Sequence, residues 1–529
     1  MGDFQITAID VTILLAYVLG TRLFFGWYCA RRMRAGAEGY FLGGRRIGWA
    51  MIGLSFYVSN MSGSTFVGLP GSGYHDGVAV YNYEWLASLI LIFFILFLLP
   101  FYLKARVFTA PQFLATRFNN TTKYFFSAFL LLANIFIDAA AALYAGAIVA
   151  QVLFPDLPMW VTISVTAGLA GLYIFFGGLD AVVINDAIQA VLIFIGGVVI
   201  AILAWHQIPS WEIVRDAAPD HALHLMRPPD DDFLPWPGVF TGVLIVGIYF
   251  WCTNQFVIQR ALGARNLDHA RWGALFAGLL KLPNLFILVL PGVLAVAMFP
   301  DLERADLVFP KLAFELLPVG LRGLMLAALA AAILSSLEAI FNSASTLFTM
   351  DFVHSLRPQA SDRALANIGR VSTIGFMVLS ALWAPVILNF PTLWDYLQSV
   401  LSYITPPVVA VFLAGIFWPR ANHQGANATL AIGVPLGAVA WLTVELGGLV
   451  SIQFLYACGI LFLLSLLLIV AVSLATAAPE GEKTRDYTWR MPLWHAETKA
   501  LSGVPFYKNY RVLAAALAVL TLAIVAWWL

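Results

Sequence analysis

The chain has 529 residues, of which 61% are hydrophobic and only 11% charged, with a mean hydropathy of +0.86. Soluble globular domains carry about 25% charged residues, so this composition excludes a soluble protein and indicates a polytopic membrane protein. Twenty-nine basic residues balance twenty-nine acidic ones, which argues against a polyanionic partner such as nucleic acid.

A bilayer crossing needs roughly 20 apolar residues. Fourteen segments qualify, near 7–29, 48–72, 80–103, 121–154, 158–177, 181–204, 237–261, 271–299, 317–350, 365–388, 392–418, 424–446, 449–475 and 510–528. The N-terminus, MGDFQITAID, has acidic residues and no basic cluster ahead of the first apolar run. It therefore reads as a retained helix and not as a cleaved signal. Cys29, Cys252 and Cys458 lie in or beside apolar segments and read as small buried residues, not as a disulfide framework.

Basic residues recur in most alternate connections. They are Arg31, Arg32, Arg34, Arg45 and Arg46; then Lys104, Arg106, Arg117 and Lys123; then Arg260, Arg265 and Arg271; then Arg357, Arg363 and Arg370; then Arg420; and Lys483 through Arg511. The alternate connections are poorer in basic residues and include the run Asp230-Asp231-Asp232. The basic side is expected to be cytoplasmic, which places both termini outside and favours an even number of spans. The polar, Pro-rich stretch from about 205 to 236 reads as an outer cap. The charged stretch from about 476 to 509 reads as a cytoplasmic linker.

Two crossings carry helix-breaking chemistry. The second reads YVSNMSGSTFVGLPGSG, and the seventh reads IYFWCTNQFVIQR with Thr253, Asn254 and Gln255 at mid-depth. Irregular backbone at membrane depth survives only where protein or a cavity covers it. Interrupted helices five spans apart point to a transporter site between two inverted repeats. The ninth crossing is equally informative. Ser335, Glu338, Asn342, Ser345, Thr346 and Thr349 fall at helical spacing on one face, with Ser336 beside them. Lipid cannot satisfy such a stripe, so it faces other helices or a wet cavity. An ionisable Glu338 at that depth is a candidate functional group, although small polar residues also serve as packing contacts between helices. No strand-borne phosphate loop and no HExxH pair occurs among the eight histidines, so neither ATP-driven transport nor a zinc hydrolase is supported.

GLRGLMLAALAAAILSSLEAIFNSASTLFTMD at 320–351 resembles the signature region of the solute:sodium symporter family, sodium/glucose cotransporter branch. SNMSGSTFVGL at 59–69, EWLA at 84–87, LPWPGVFTG at 234–242, FWCTNQFVIQR at 250–260, GLLKLP at 278–283 and LWDYLQSVLSYITPPVVAVFLAGIFWPR at 393–420 fit the same branch in the same order. The resemblance implies an all-α, LeuT-type core of two inverted five-helix repeats, 48–204 and 237–418. Peripheral helices would lie at 7–29, 424–475 and 510–528. It implies sodium-driven import of a neutral hydroxyl-rich solute, such as a hexose or an inositol-like polyol, across the cell (plasma or inner) membrane. A carboxylate or vitamin substrate, or a transporter-like sensor, is the alternative.

The resemblance also implies residue roles. The carbonyls of Val58, Met61 and Ala332 and the hydroxyls of Ser335 and Ser336 would hold sodium, a hard cation that prefers oxygen. Ala332, Ser335 and Ser336 do share one helix face, although such hydroxyls also bond back to their own helix. Asn60, Glu84, Lys281 and Gln398 would hydrogen-bond the solute, with Trp251 as an aromatic face. Asp186 matches a position linked to cation release or a second sodium. Two departures touch the pocket: the inner gate position, usually Tyr, is Phe250, and a His or Gln of the sugar-transporting relatives is Thr65. A third departure is Glu338, where several members carry Thr. With Asp186 it would form a second cation position, unless it makes a structural ion pair. The lone ammonium of Lys281 needs a partner, for which Glu84 and Asp138 are the candidates.

Overall fold

The computed structural model describes residues 7–14, 16–17, 20, 45–107, 109–153, 156–173, 179–208, 210–218 and 221–528. The side chains of 152–153, 169–173, 179–185, 350, 362–363, 366 and 482–483 are not described. Every regular element among the described residues is helical, apart from two isolated bridges, Ile47 to Ala264 and Arg227 to Pro235. In chain order the principal helices are α1 (Trp49–Asn60), α2 (Gly63–Asp76), α3 (Asn82–Phe93), α4 (Asn120–Ala133), α5 (Ala140–Leu153), α6 (Met159–Tyr173) and α7 (Leu179–Gln207). There follow α8 (Leu244–Thr253), α9 (Gln255–Leu262), α10 (Leu267–Lys281), α11 (Leu290–Met298), α12 (Leu321–Thr346) and α13 (Asp362–Trp383). The last are α14 (Leu393–Ile404), α15 (Pro406–Phe417), α16 (His423–Trp441), α17 (Phe454–Ala475) and α18 (Tyr510–Trp527).

Ten described helical runs are long and apolar enough to cross a membrane, or eleven if α14 and α15, bent by 53°, form one span. Three differences separate this from the fourteen expected segments. The first, 7–29, lies largely outside the described residues. The fifth is described only as far as Tyr173, and its apolar part, Met159–Gly168, is short. The second and third enter as one 42-residue run, Gly63–Lys104. A straight helix of that length would measure about 63 Å, twice the roughly 30 Å hydrocarbon core. The chain in fact doubles back, because Asn60 and Glu84 both touch Lys281. The reversal falls at Gly77, whose φ of +78° suits glycine and whose missing Cβ admits the Ala222 carbonyl.

Both expected breaks are present. α1 stops at Asn60 and α2 starts at Gly63; the turn closes through Met61 N–H to Tyr57 O and through Thr65 and Phe66 N–H to Ser62 O. A Cβ on Gly63 would lie 2.1 Å from Ile333 Cγ1, so the break rests directly on α12. The second break falls at Asn254, in extended backbone (φ −69°, ψ 129°), where the side chain caps α9 by accepting from Phe256 N–H at 3.3 Å. α1 packs against α7 and α10, while α12 packs against α2, α5 and α7. α14 packs against α2. The two breaks and the polar face of α12 are thus drawn to the centre of the bundle.

The stretch from 476 to 509, expected as a plain linker, contains helices Gly481–Tyr487 and Met491–Leu501. They are tied to the bundle by Lys104 to Asp486 (3.2 Å) and by Arg271 and Arg511 to Glu497 (2.6 and 3.2 Å). Cys252 and Cys458 are buried free thiols; Cys29 lies outside the described residues.

Candidate functional site

A cavity of about 120 Å³ lies between the two breaks. That is several times the roughly 10–15 Å³ one water needs, so it can hold a small solute. Of the residues singled out from sequence, Val58, Asn60, Glu84, Asp186, Phe250, Trp251, Ala332, Ser335, Ser336 and Gln398 line it. Met61, Lys281 and Glu338 do not.

On one side of the cavity lies a knot of buried polar groups. Lys281 ends α10 with its ammonium completely buried. It donates to both Glu84 oxygens, at 3.0 and 2.9 Å, and to Asn60 Oδ1. It also sits 5.5 Å above the Trp251 ring. Asn284, one turn on, donates to Glu84 and accepts from Tyr57 OH at 2.9 Å. Glu84 is therefore the partner of Lys281, and Asp138 is not; Asp138 lies on another wall, in a wider helical turn, Asn134–Ala139, between α4 and α5. A bare ammonium at this depth would be costly, and the cluster removes that cost by giving every donor an oxygen. It also holds Asn60 and Glu84 rigidly at the cavity edge.

Elsewhere along the lining the polar face of α12 meets α7. Asp186 accepts from Ser55 Oγ (2.8 Å) and Arg260 Nη2 (3.1 Å) on one oxygen, and from Ser335 Oγ (3.4 Å) on the other. Ser335 thus turns outward to α7 and does not bond back to its own helix. Ser336 also lines the cavity, and no described residue hydrogen-bonds its hydroxyl. The carbonyls of Val58 and Met61 stay outside the pairings that close the first break. The lining here carries Val58, Ala332, Ser335 and Ser336 beside the Asp186–Arg260 ion pair; hydroxyl and carbonyl oxygens are the donors a hard cation takes. Glu338, one turn further along α12, is 7% exposed, is already engaged by a neighbouring group and takes no part in the wall.

The lining also carries unpaired groups, of which Gln398 was named from sequence and Gln189, Tyr83 and Trp394 were not. Gln398 Oε1, both amide atoms of Gln189, Tyr83 OH and Trp394 Nε1 are buried without hydrogen-bond partners, and all four residues line the cavity. Buried polar groups are rarely left unpaired, so these atoms mark where a polar ligand or water fits. Helical spacing was the available signal: Gln189 is i+3 from Asp186 and Trp394 is i−4 from Gln398. Thr65 plays a different part. Its hydroxyl donates to the Asn60 carbonyl at 2.5 Å and staples the break. Phe250 packs edge-on against Trp251 (5.2 Å) and Phe256 (5.7 Å), forming an aromatic floor.

The model of the sodium:solute symporter family matches residues 40–433. The chain is 34% identical to a sodium/glucose cotransporter 4 of Danio rerio, covering 92% of this chain and 82% of that protein. It is 35% identical to a sodium/myo-inositol cotransporter 2 of Bos taurus, covering 91% and 78%, and 34% identical to a sodium/mannose cotransporter of Bos taurus, covering 92% and 89%. Among solved structures, a Na+-coupled sialic acid symporter in a substrate-bound outward-open state superposes with a TM-score of 0.74 at 22% identity, over 90% of this chain and all of that one. Inward-facing Mhp1 superposes with a TM-score of 0.53 at 12% identity, over 87% and 99%. These two share the LeuT-like helical fold. The chain belongs to the sodium:solute symporter family: it is a multi-pass membrane transporter that couples solute movement to sodium, and not an enzyme.

Proposed function

We propose that the protein imports a neutral, hydroxyl-rich solute, a hexose such as glucose or galactose, together with sodium across the cell membrane by alternating access. The observation that carries this reading is the cavity's polar make-up. The Lys281–Glu84–Asn60 knot presents an amide and a carboxylate at one edge, and Gln398 Oε1 is unpaired at another. Such groups supply both donors and acceptors to hydroxyls. Trp251 and Phe250 supply an apolar face for a ring. In this reading Lys281 acts by fixing Asn60 and Glu84, while Asn60, Glu84, Gln398 and Trp251 touch the solute. Phe250 serves as the inner gate without a tyrosine hydroxyl.

Sodium is assigned to the carbonyls of Val58, Met61 and Ala332 with Ser335 and Ser336. Asp186 receives the ion on its way inward, as its contact with Ser335 supports. The core is read as two inverted repeats, 48–204 and 237–418, with the basic loops in the cytoplasm and both termini outside. A membrane potential of 100 mV contributes about 2.3 kcal/mol per charge moved, roughly 50-fold accumulation before the sodium gradient is counted.

The relatives named for glucose, myo-inositol and mannose are about equally similar, so the test is a panel. Proteoliposomes are given labelled hexoses, inositols, a carboxylate and a vitamin, with sodium or choline outside. Sodium-dependent uptake of a hexose or polyol is expected. Equal uptake in choline, or uptake of the carboxylate alone, would contradict the reading.

A further inference from the structure

Three metal-ligating side chains converge outside the cavity, at the end of α2 remote from the break. His75 and Asp76 are the last two residues of α2, and Asp395 lies in the first turn of α14. One ligand atom from each lies within 4.8 Å of the other two. Asp76 Oδ1 is 2.8 Å from His75 Nδ1. Its other oxygen, Oδ2, is buried with no hydrogen-bond partner, in a side chain only 8% exposed. Asp395 has the same asymmetry. Its Oδ2 accepts from the Thr392 backbone N–H (3.1 Å) and hydroxyl (2.9 Å), and its Oδ1 is buried and unpartnered.

Two guanidiniums lie nearby, each with a buried Nε that has no hydrogen-bond partner. Arg227 donates to the main-chain oxygen of Asp76 and to the Asp231 carboxylate at 3.5 Å. Arg304 lies 3.9 Å from Asp306 and donates to the Leu388 and Phe390 carbonyls. Asp306 is itself held by Tyr144 OH and the Leu393 N–H, at 3.0 Å each. Neither guanidinium hydrogen-bonds the Asp76 or Asp395 carboxylate among the described residues, and His75 is the imidazole beside them. Two carboxylates sharing a site favour added positive charge beside them, which a metal cation would supply.

We propose that His75, Asp76 and Asp395 form a binding site for a divalent transition cation of the zinc type. One imidazole nitrogen and two carboxylate oxygens are a ligand set zinc accepts, with a fourth position left for water. The imidazole separates this site from the all-oxygen sodium position and disfavours magnesium. The ligands come from two helices that also touch through Ser72 and Thr392, whose hydroxyls are 3.1 Å apart. Further along, the same helices supply Thr65, Trp394 and Gln398 to the cavity wall. An ion here ties the end of α2 to the start of α14, restrains that wall and slows transport.

The test uses the full chain, purified in detergent and stripped with chelator, then titrated calorimetrically with zinc chloride and with magnesium chloride as the control. His75→Ala and Asp395→Asn are compared with wild type; the asparagine amide oxygen keeps the two Thr392 hydrogen bonds, so the α14 cap survives. Wild type is expected to bind one zinc and no magnesium. Each variant is expected to bind zinc at least about tenfold more weakly, since even a change outside the ligand shell costs that much. Zinc should also slow sodium-driven uptake by wild-type proteoliposomes, reversibly with EDTA, and spare both variants. Equal zinc affinity in all three proteins would place the ion elsewhere. No zinc binding to wild type would overturn the site. Zinc binding without slower uptake would overturn the restraint.

Discussion

Two buried ion pairs flank the cavity, Lys281–Glu84 and Arg260–Asp186, and they differ in what else they touch. The first is closed. Lys281 is fully buried behind the wall, and its pair is completed by Asn60 and Asn284. The second is open on one side: both Asp186 and Arg260 line the cavity, and Asp186 shares a carboxylate oxygen with Ser335 on the face assigned to sodium. Buried pairs contribute little net stability when intact, yet breaking one strands a charge. The closed pair is therefore suited to holding geometry, and the open pair to exchanging partners with an ion. In the proposed reading, the closed pair would hold the solute pocket while the open pair meets the cation.

The largest effect should come from the closed pair. Lys281→Ala strands Glu84 and is expected to cost about 3–5 kcal/mol of stability and to abolish uptake. The double variant Lys281→Met with Glu84→Gln removes both charges and should recover thermal stability, measured by melting in detergent, but not uptake. Recovery of uptake would show that neither group shapes the pocket. Gln398→Ala should follow. Removing one hydrogen-bonding group from a site built around hydroxyls costs about 1–3 kcal/mol, read as a roughly 5- to 150-fold rise in the solute concentration for half-maximal uptake, with an unchanged melting temperature. An unchanged solute dependence would move the pocket away from α14.

The open pair should behave differently. Asp186→Asn strands the buried Arg260 charge, so the melting temperature should fall even though Arg260 keeps its bonds to Ser55 and to the Phe256 carbonyl. The sodium concentration for half-maximal uptake should rise about tenfold or more, matching the loss of a charged hydrogen-bond partner at about 1.5–3 kcal/mol. Equal sodium activation of the variant and wild type would remove Asp186 from the ion's route. The smallest change should come from Glu338→Gln, which lies outside the cavity wall. The sodium-to-solute flux ratio should stay at the wild-type value. A lowered ratio would restore Glu338 as a coupling residue and weaken the contrast drawn between the pairs.

Much of this was legible from residue types and spacing. Charge depletion and apolar run lengths identify a polytopic protein. The Gly-, Ser- and Asn-rich run at 59–68 and the Thr-Asn-Gln run at 253–255 mark the two breaks, because those residues interrupt helices. What failed depended on distance in three dimensions. Glu84 and Lys281 are 197 positions apart, so sequence could name two partners for the lysine but not choose between them. Thr65 lines the cavity as its place in the sequence suggests, but nothing local reveals that its hydroxyl also reaches back to the Asn60 carbonyl. Asp138 projects into the cavity from a turn of widened helix that no composition rule forecasts. Glu338 lies at helical spacing from Ser335 but is not among the residues that line the cavity.

The central claim is that solute and sodium share one cavity and bind interdependently. The most direct test is equilibrium binding of the labelled solute to purified protein across sodium concentrations, with the reciprocal sodium titration at fixed solute. Linkage requires sodium to strengthen solute binding by the same factor as solute strengthens sodium binding. The expected result is a shared factor well above one in wild type, reduced in Ser336→Ala while solute binding at saturating sodium is retained. Solute affinity that is independent of sodium in wild type would contradict the account.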